Sequence, residues 1–215
     1  MKINRVLIGL TLCGGGGGSG AAGGISVQTP APIAFSSGTT VLGEDKMHVS
    51  VDGVLRTLAA PDWQNNLAQH KGSDHAYLAR RDQNYVVIAG QFDETPFVDV
   101  LGNLEPIGQQ TVLGYDGQLD IRSENFNGAA DIGLQVNLGS DFPRLTTYES
   151  DLNIDVAASI NPDGSFSYGY VTFLGDRADL NGGFFNTDPA KQNETLAGAF
   201  AADTFYGALL GQVAE

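Results

Sequence analysis

A two-residue period returns in segment after segment of the second half of this chain, and it constrains the fold more than any other feature. Over residues 112–122 the odd positions are Leu113, Tyr115, Gly117, Leu119 and Ile121, and the even positions include Asp116, Gln118, Asp120 and Arg122. Over 130–138 the even set is Ala130, Ile132, Leu134, Val136 and Leu138, against Asp131, Gln135 and Asn137. Over 151–160 it is Leu152, Ile154, Val156, Ala158 and Ile160, against Asp151, Asn153, Asp155 and Ser159. Successive side chains of a strand point to opposite faces, so each segment reads as a half-buried strand. Residues 166–174, 180–185, 196–200 and 205–210 continue the series. Asn127-Gly128, Asn161-Pro162-Asp163-Gly164 and Asn181-Gly182-Gly183 are the expected turns. The 29 glycines in 215 residues lie well above the usual ~7% and favour turn-rich β structure over helices. Short strands at this spacing predict an all-β chain, built on an antiparallel barrel of about eight strands.

The charged face decides the environment of that barrel. It carries Asp116, Asp120, Arg122, Asp131, Asp151 and Asp155. Charge on a lipid-facing barrel surface costs up to ~2–4 kcal/mol per residue near the midplane. The interior of a barrel of about eight strands has room only for side chains. Charges in water and apolar residues inside is the cheaper arrangement, so a soluble barrel is expected. Most of Phe166, Tyr168, Tyr170, Phe173, Phe184, Phe185, Phe205 and Tyr206 are expected in its core. Any that surface are anchors for a protein partner.

The amino terminus carries a different signal. Lys2 and Arg5 precede the apolar run 6–12, a secretory layout too short for the ~20 residues of a membrane span. Cys13 is the only cysteine, which excludes an internal disulfide and a multi-cysteine zinc site. Leu10-Thr11-Leu12-Cys13 resembles a bacterial lipobox, which implies acylation of Cys13, palmitate included, and a membrane anchor there. The glycine tract 14–24 has no strand before it and no amphipathic helix after it. It therefore fails as a phosphate loop and reads as a flexible tether. Gly14, where inner-membrane lipoproteins carry Asp, resembles the pattern of export to the outer membrane, on its periplasmic side or at the cell surface. The expected organisation is a signal peptide over 1–12, a lipidated cysteine and tether over 13–45, a small, irregular β-rich N-terminal subdomain over 46–107, and the barrel over 108–215. Within 46–107, residues 47–51 and 54–58 suit a hairpin across Asp52-Gly53. Residues 60–67 suit one or two helical turns. Residues 76–79 and 85–90 read as strands, and Tyr85-Val86-Val87-Ile88-Ala89 is apolar on both faces, so it is expected to be covered twice.

The later strands add a resemblance. Val112-Leu113-Gly114-Tyr115-Asp116-Gly117, Leu180-Asn181-Gly182-Gly183-Phe184-Phe185, Leu196-Ala197-Gly198-Ala199-Phe200 and Phe205-Tyr206-Gly207-Ala208-Leu209 form an ordered series of glycine/aromatic strands. Over roughly residues 108–212 the chain resembles the β-barrel domain of transferrin-binding protein B-like surface lipoproteins. That resemblance implies a tethered outer-membrane binding module for a protein or small ligand, in iron or nutrient acquisition, and not an enzyme.

Net charge and missing motifs narrow the function. Twenty-five acids oppose eleven bases, a formal charge of −14. Such a polyanion repels nucleic acid, and a protein partner recruited by it would present a basic patch. His70 and His75 are five residues apart, not the four of a helical zinc pair. They are expected in a solvated loop, with a haem or metal site as the alternative. His48 falls in a strand pattern. Trp63, isolated in a polar stretch, is a candidate exposed anchor. There is no Gly-x-Ser-x-Gly elbow and no calcium-loop pattern, so neither catalytic residues nor a cofactor are expected. Three readings stand: a binding module, a structural or envelope-interaction lipoprotein without a soluble ligand, and a haem or metal carrier.

Overall fold

The computed structural model describes the backbone of residues 32–33, 39–42, 46–51, 54–59, 64, 66–82, 84–108, 111–185 and 192–214, with side chains from residue 64 onward. Every described element is a strand. Before the barrel come β1 (Pro32–Ile33), β2 (Thr39–Leu42), β3 (Lys46–Val51), β4 (Val54–Ala59), β5 (Leu67–Lys71), β6 (His75–Arg81), β7 (Tyr85–Phe92) and β8 (Thr95–Gly102). Strands β2, β3 and β4 form a three-stranded sheet, and β3 pairs β4 from Lys46–Ala59 to Val51–Val54, the expected hairpin register. A five-stranded sheet runs in the order β1-β8-β7-β6-β5. No helix occupies the described part of 60–67. Asn66 takes a left-handed φ of 65° and Leu67 opens β5, because Gln64 and Leu67 exchange backbone hydrogen bonds at 2.9 Å.

The barrel comprises β9 (Val112–Ser123), β10 (Asn127–Asn137), β11 (Arg144–Ser150), β12 (Asp155–Ile160), β13 (Phe166–Phe173), β14 (Asp176–Phe184), β15 (Thr195–Ala201) and β16 (Phe205–Val213). Neighbours are antiparallel, and β16 returns to β9 from Phe205–Ser123 to Val213–Tyr115, which closes the barrel. The interior holds the alternating set: Tyr115, Leu119 and Ile121 of β9, Ala130, Ile132, Leu134 and Val136 of β10, and Val156, Ala158 and Ile160 of β12. Phe166, Phe173, Phe184, Phe200 and Phe205 complete it. Each large apolar side chain buried in this way contributes ~1.5–3 kcal/mol.

Several local expectations differ from the structure. The eighth strand, β11, was not marked by the period. Leu145 is its only buried residue, so no apolar stripe announces it. Asn127-Gly128 opens β10 instead of turning, since Asn127 pairs Arg122. The turn lies at Glu124–Asn125, where the Ser123 hydroxyl accepts from the Phe126 amide at 3.0 Å. Asn181-Gly182-Gly183 lies inside β14, and a Cβ at Gly182 would fall 2.2 Å from the Ala197 carbonyl oxygen, so that glycine serves close strand approach, not a turn. Asn161–Gly164 does turn, with Gly164 at φ 83°. Leu152 is exposed because β12 begins only at Asp155.

The five-stranded sheet packs against the outside of the barrel. Leu78, Tyr85, Val87, Ala89, Val98 and Val100 meet Phe185, Ala197, Ala199 and Ala208. Its other face is a second apolar cluster of Tyr77, Ala79, Val86, Ile88, Phe92, Phe97 and Leu101. Thus β7 is covered on both faces, as its composition requires. Asp120, expected in water, is buried at this junction with its Oδ2 2.6 Å from Arg80 Nε. The alternation placed it correctly on the barrel exterior, but the sheet covers that part of the exterior. Gln91 Nε2 donates across the same junction to the Asp203 carbonyl at 2.8 Å.

Residues 104–108 link the sheet to the barrel and cross one barrel mouth. The Glu105 amide donates to the Phe184 carbonyl at 2.8 Å and the Ile107 amide to the Pro162 carbonyl at 3.2 Å. Asn193, fully buried at φ 56°, gathers the segment. Its amide donates to Glu105 Oε2 at 2.8 Å, its Oδ1 accepts from the Gly108 amide at 3.0 Å, and its Nδ2 donates to the Pro106 carbonyl at 3.3 Å. The Tyr115 hydroxyl donates to the Asn193 carbonyl.

Candidate functional site

Two surfaces offer places for a ligand. One is a cleft of about 670 Å³ between the β5–β6 edge of the sheet and the barrel end built by the 123–127, 173–176 and 203–206 segments. His70, Lys71, Tyr77, Arg122, Phe173 and Tyr206 are among its walls. Arg122 is held in place by donating Nη1 to the Ile121 and Gly128 carbonyls at 2.8 and 3.1 Å. Its Nε is buried without a hydrogen-bond partner, and burial lowers its pKa from the ordinary arginine value. Burial pushes the Tyr77 and Tyr206 phenols up, with Arg122 pulling Tyr206 partly back.

His70, a wall of this cleft, and its neighbour His75 both lie on strands, not in a loop. His70 is the cross-strand partner of Tyr77. His75 opens β6 on the same face, two residues before Tyr77. A spacing of five is that of a tight hairpin, closed by the Gly72 amide donating to the His75 carbonyl at 2.7 Å. The two imidazoles stack at 4.3 Å between centroids and 10° between planes. Tyr77 lies 5.5 Å from His70, and Phe92 5.5 Å from His75. His75 Nδ1 is 2.8 Å from Asp74 Oδ1. Among the described residues, no three His, Cys, Asp or Glu side chains gather to hold a metal ion. His48 falls in β3. Cys13 and Trp63 lie outside the described residues.

The second surface is the barrel wall away from the packed sheet. Tyr168, Phe142 and Tyr148 are 91%, 75% and 59% exposed there and at its rim. Phe166, Phe173, Phe184 and Phe205 are interior, as expected. Phe185 is buried too, but between barrel and sheet. Tyr170 stays on the outside, its hydroxyl 3.2 Å from Asp155 Oδ2 and the Arg177 guanidinium 4.0 Å above its ring. The Asp155 carboxylate, followed by burial, pushes this phenol up, so it remains protonated and donates. Tyr168 belongs to the aromatic group of which most are expected in the core, and the sequence does not mark Tyr148 or Phe142. One extra residue in the pairing of β12 and β13 turns Tyr168 outward, and nothing in the alternation signals it, whereas Tyr148 faces out with Thr146 two residues before it.

A closed barrel thus carries a sheet packed on one flank and exposed aromatic side chains on the opposite one. No family model matches the sequence, and no curated protein does. Solved structures align with it over most of its length. Transferrin Binding Protein B of Haemophilus parasuis aligns over 82% of this chain and 43% of its own, at 14% identity and a TM-score of 0.45. Isotype 1 Transferrin binding protein B from serogroup B Neisseria meningitidis aligns over 78% and 39%, at 12% identity and 0.44. The haemoglobin receptor HpuA of Kingella denitrificans aligns over 83% and 82%, at 11% and 0.42. The chain therefore spans under half the length of the transferrin-binding proteins it matches. Transferrin-binding protein B, which the glycine/aromatic strands resemble, is thus among the structures that align.

Proposed function

We propose that this chain is a tethered outer-membrane lipoprotein, anchored through Cys13, whose barrel serves as a binding module for a protein ligand. The observation that carries the reading is the set of large apolar side chains held in water on a rigid wall, Tyr168 above all. A soluble barrel gains nothing in stability from an aromatic ring that is 91% exposed, whereas protein interfaces are enriched in such anchors. Iron or nutrient acquisition is the role implied by the sequence resemblance, and the neighbours' names, a transferrin-binding protein and a haemoglobin receptor, belong to that kind of role. The test is growth of a deletion strain on protein-bound iron against free iron, complemented by the wild-type gene or by Cys13→Ala. A selective defect that Cys13→Ala fails to repair supports the reading. Equal growth on both sources overturns the acquisition role and leaves an envelope lipoprotein without a soluble ligand.

The stack of His75 on His70, which lines the cleft, favours a second reading, a haem or metal carrier. Titration with haemin or Zn²⁺ tests it: saturable binding lost in the His70→Ala/His75→Ala variant supports it, and unchanged binding removes it.

A further inference from the structure

The bulged wall of the barrel carries an assignment that rests on the binding-module reading. Along β12 and β13, Ser159 pairs Ser167 and Ala157 pairs Tyr170. One residue of β12, Ala158, therefore faces two of β13, Tyr168 and Gly169. Tyr168 is the bulge residue that takes the strained backbone, at φ 52°. On β11 the register shifts in the same way: Leu134 pairs Thr147 and Gly133 pairs Glu149, which leaves Tyr148 as the extra residue. Bulges bend strands and re-aim side chains. Barrel curvature explains why bulges occur here but not why tyrosine occupies them. Glycine would adopt the left-handed backbone at Tyr168 without strain.

Tyr170 lies between the two bulges and shows what these rings accept: it carries the guanidinium of Arg177 on its face at 4.0 Å. The charge around them is one-sided. Residues 144–184 hold six carboxylates, among them Glu149, Asp155, Asp176 and Asp179, against two arginines and no lysine. All eight side chains are exposed. Strands β11 and β13 are two strand spacings apart, about 10 Å, so both rings fit under one standard interface of ~800 Å² per partner.

We infer that the exterior of β11–β14 is a docking face for an arginine-rich protein surface, with Tyr148 and Tyr168 as the anchors that stack on its guanidinium groups. Guanidinium is planar, weakly hydrated and able to pair a carboxylate while lying on a ring, whereas an ammonium offers only a point charge. The face therefore discriminates arginine from lysine at equal charge.

The experiment uses the full chain and two synthetic peptides of one sequence, Gly/Ser-spaced, with six arginines in one and six lysines in the other. The arginine peptide is expected to bind about tenfold tighter, as two exposed stacking sites allow. Tyr148→Ala/Tyr168→Ala is expected to abolish that preference, and Tyr148→Phe/Tyr168→Phe to keep it. Tyr168→Gly guards against a trivial loss of fold, since it relieves the left-handed backbone: it is expected to raise the melting temperature while weakening arginine binding. Equal affinity for both peptides overturns the assignment, and so does a preference that survives the double alanine variant. In cells, a strain carrying the double alanine variant that grows like wild type on protein-bound iron, while the deletion strain does not, overturns this docking face and leaves the binding module intact.

Discussion

The barrel and the five-stranded sheet are both antiparallel, yet they solve the problem of exposed edges and faces in opposite ways. The barrel buries one face of each strand and removes its edges by pairing β9 with β16. The sheet keeps β1 and β5 as its outermost strands and buries both faces of β7. Half of that cover comes from the outside of the barrel, where β15 and β16 present Ala197, Ala199 and Ala208. Small side chains there let the sheet approach closely. A barrel strand whose outward positions are alanine is thus a strand built to receive a second layer, whereas outward Asp131 and Gln135 on β10 mark a strand left to water.

Substitutions at four places test that contrast, beginning with the largest effect. Leu134→Asp puts an unpaired charge into the barrel interior at a cost of several kcal/mol, comparable with the ~5–15 kcal/mol that holds a domain together. Thermal unfolding followed by circular dichroism should show no cooperative transition, while Gln135→Asp, one residue along and in water, should melt like wild type. Equal damage at the two positions would break the one-face account of the barrel. At the junction, Arg80→Met leaves the Asp120 carboxylate buried without its ion pair and should cost ~3–5 kcal/mol in denaturant titration. Adding Asp120→Leu should restore most of that loss, and a double variant no better than the single would mean that the pair does not join the layers.

Backbone approach gives a smaller effect. Gly182→Ala places a methyl against the Ala197 carbonyl and should lower stability by ~1–3 kcal/mol. Gly114→Ala, with no atom within 4 Å of the added carbon, should stay within ~0.5 kcal/mol of wild type. The smallest expected effect concerns Glu105 in the segment that joins the two regions. Burial raises its carboxyl pKa, against the lowering effect of the Asn193 amide. Its folded value exceeds its unfolded one, so its contribution is complete below the ordinary carboxylate value and is lost as pH rises through the raised one. Glu105→Gln, which keeps an acceptor for Asn193, should flatten the dependence of the urea midpoint on pH in that window. An unchanged slope would place the titration elsewhere.

The same contrast explains what was legible in the sequence. Strands β9, β10 and β12 announce themselves because each puts apolar side chains mainly on one face, at Leu119 and Ile121 or at Leu134 and Val136, and the later strands through their runs of glycine, aromatic and aliphatic residues. Strand β11 does not, since Thr146, Tyr148 and Glu149 face out and Leu145 alone is buried. Tyr85–Ala89 could be read as doubly covered, but nothing local says that half of the cover is the barrel itself. Asp120 was misplaced for that reason: periodicity fixes a side chain's face, not the layer that later lands on it. At the candidate sites the residue types were visible and the geometry was not. His70 and His75 meet through a hairpin register that spacing alone leaves ambiguous. Tyr168 leaves the core through one extra residue in the pairing of β12 and β13.

The pairing of β9 with β16 also sets a timetable. The first barrel strand stays half unpaired until residues 205–213 exist to meet it, and the alanine surface that seats the five-stranded sheet lies on the last two strands. Contacts across so much chain form slowly, because the intervening loop must be ordered before they contribute. A chain still lacking its final strand therefore remains open in both regions at once, with β9 and β15 exposing edges and the inner face of the sheet unmatched. A lesion in β16 would therefore reach β9, some ninety residues upstream, as directly as it reaches the adjacent β15.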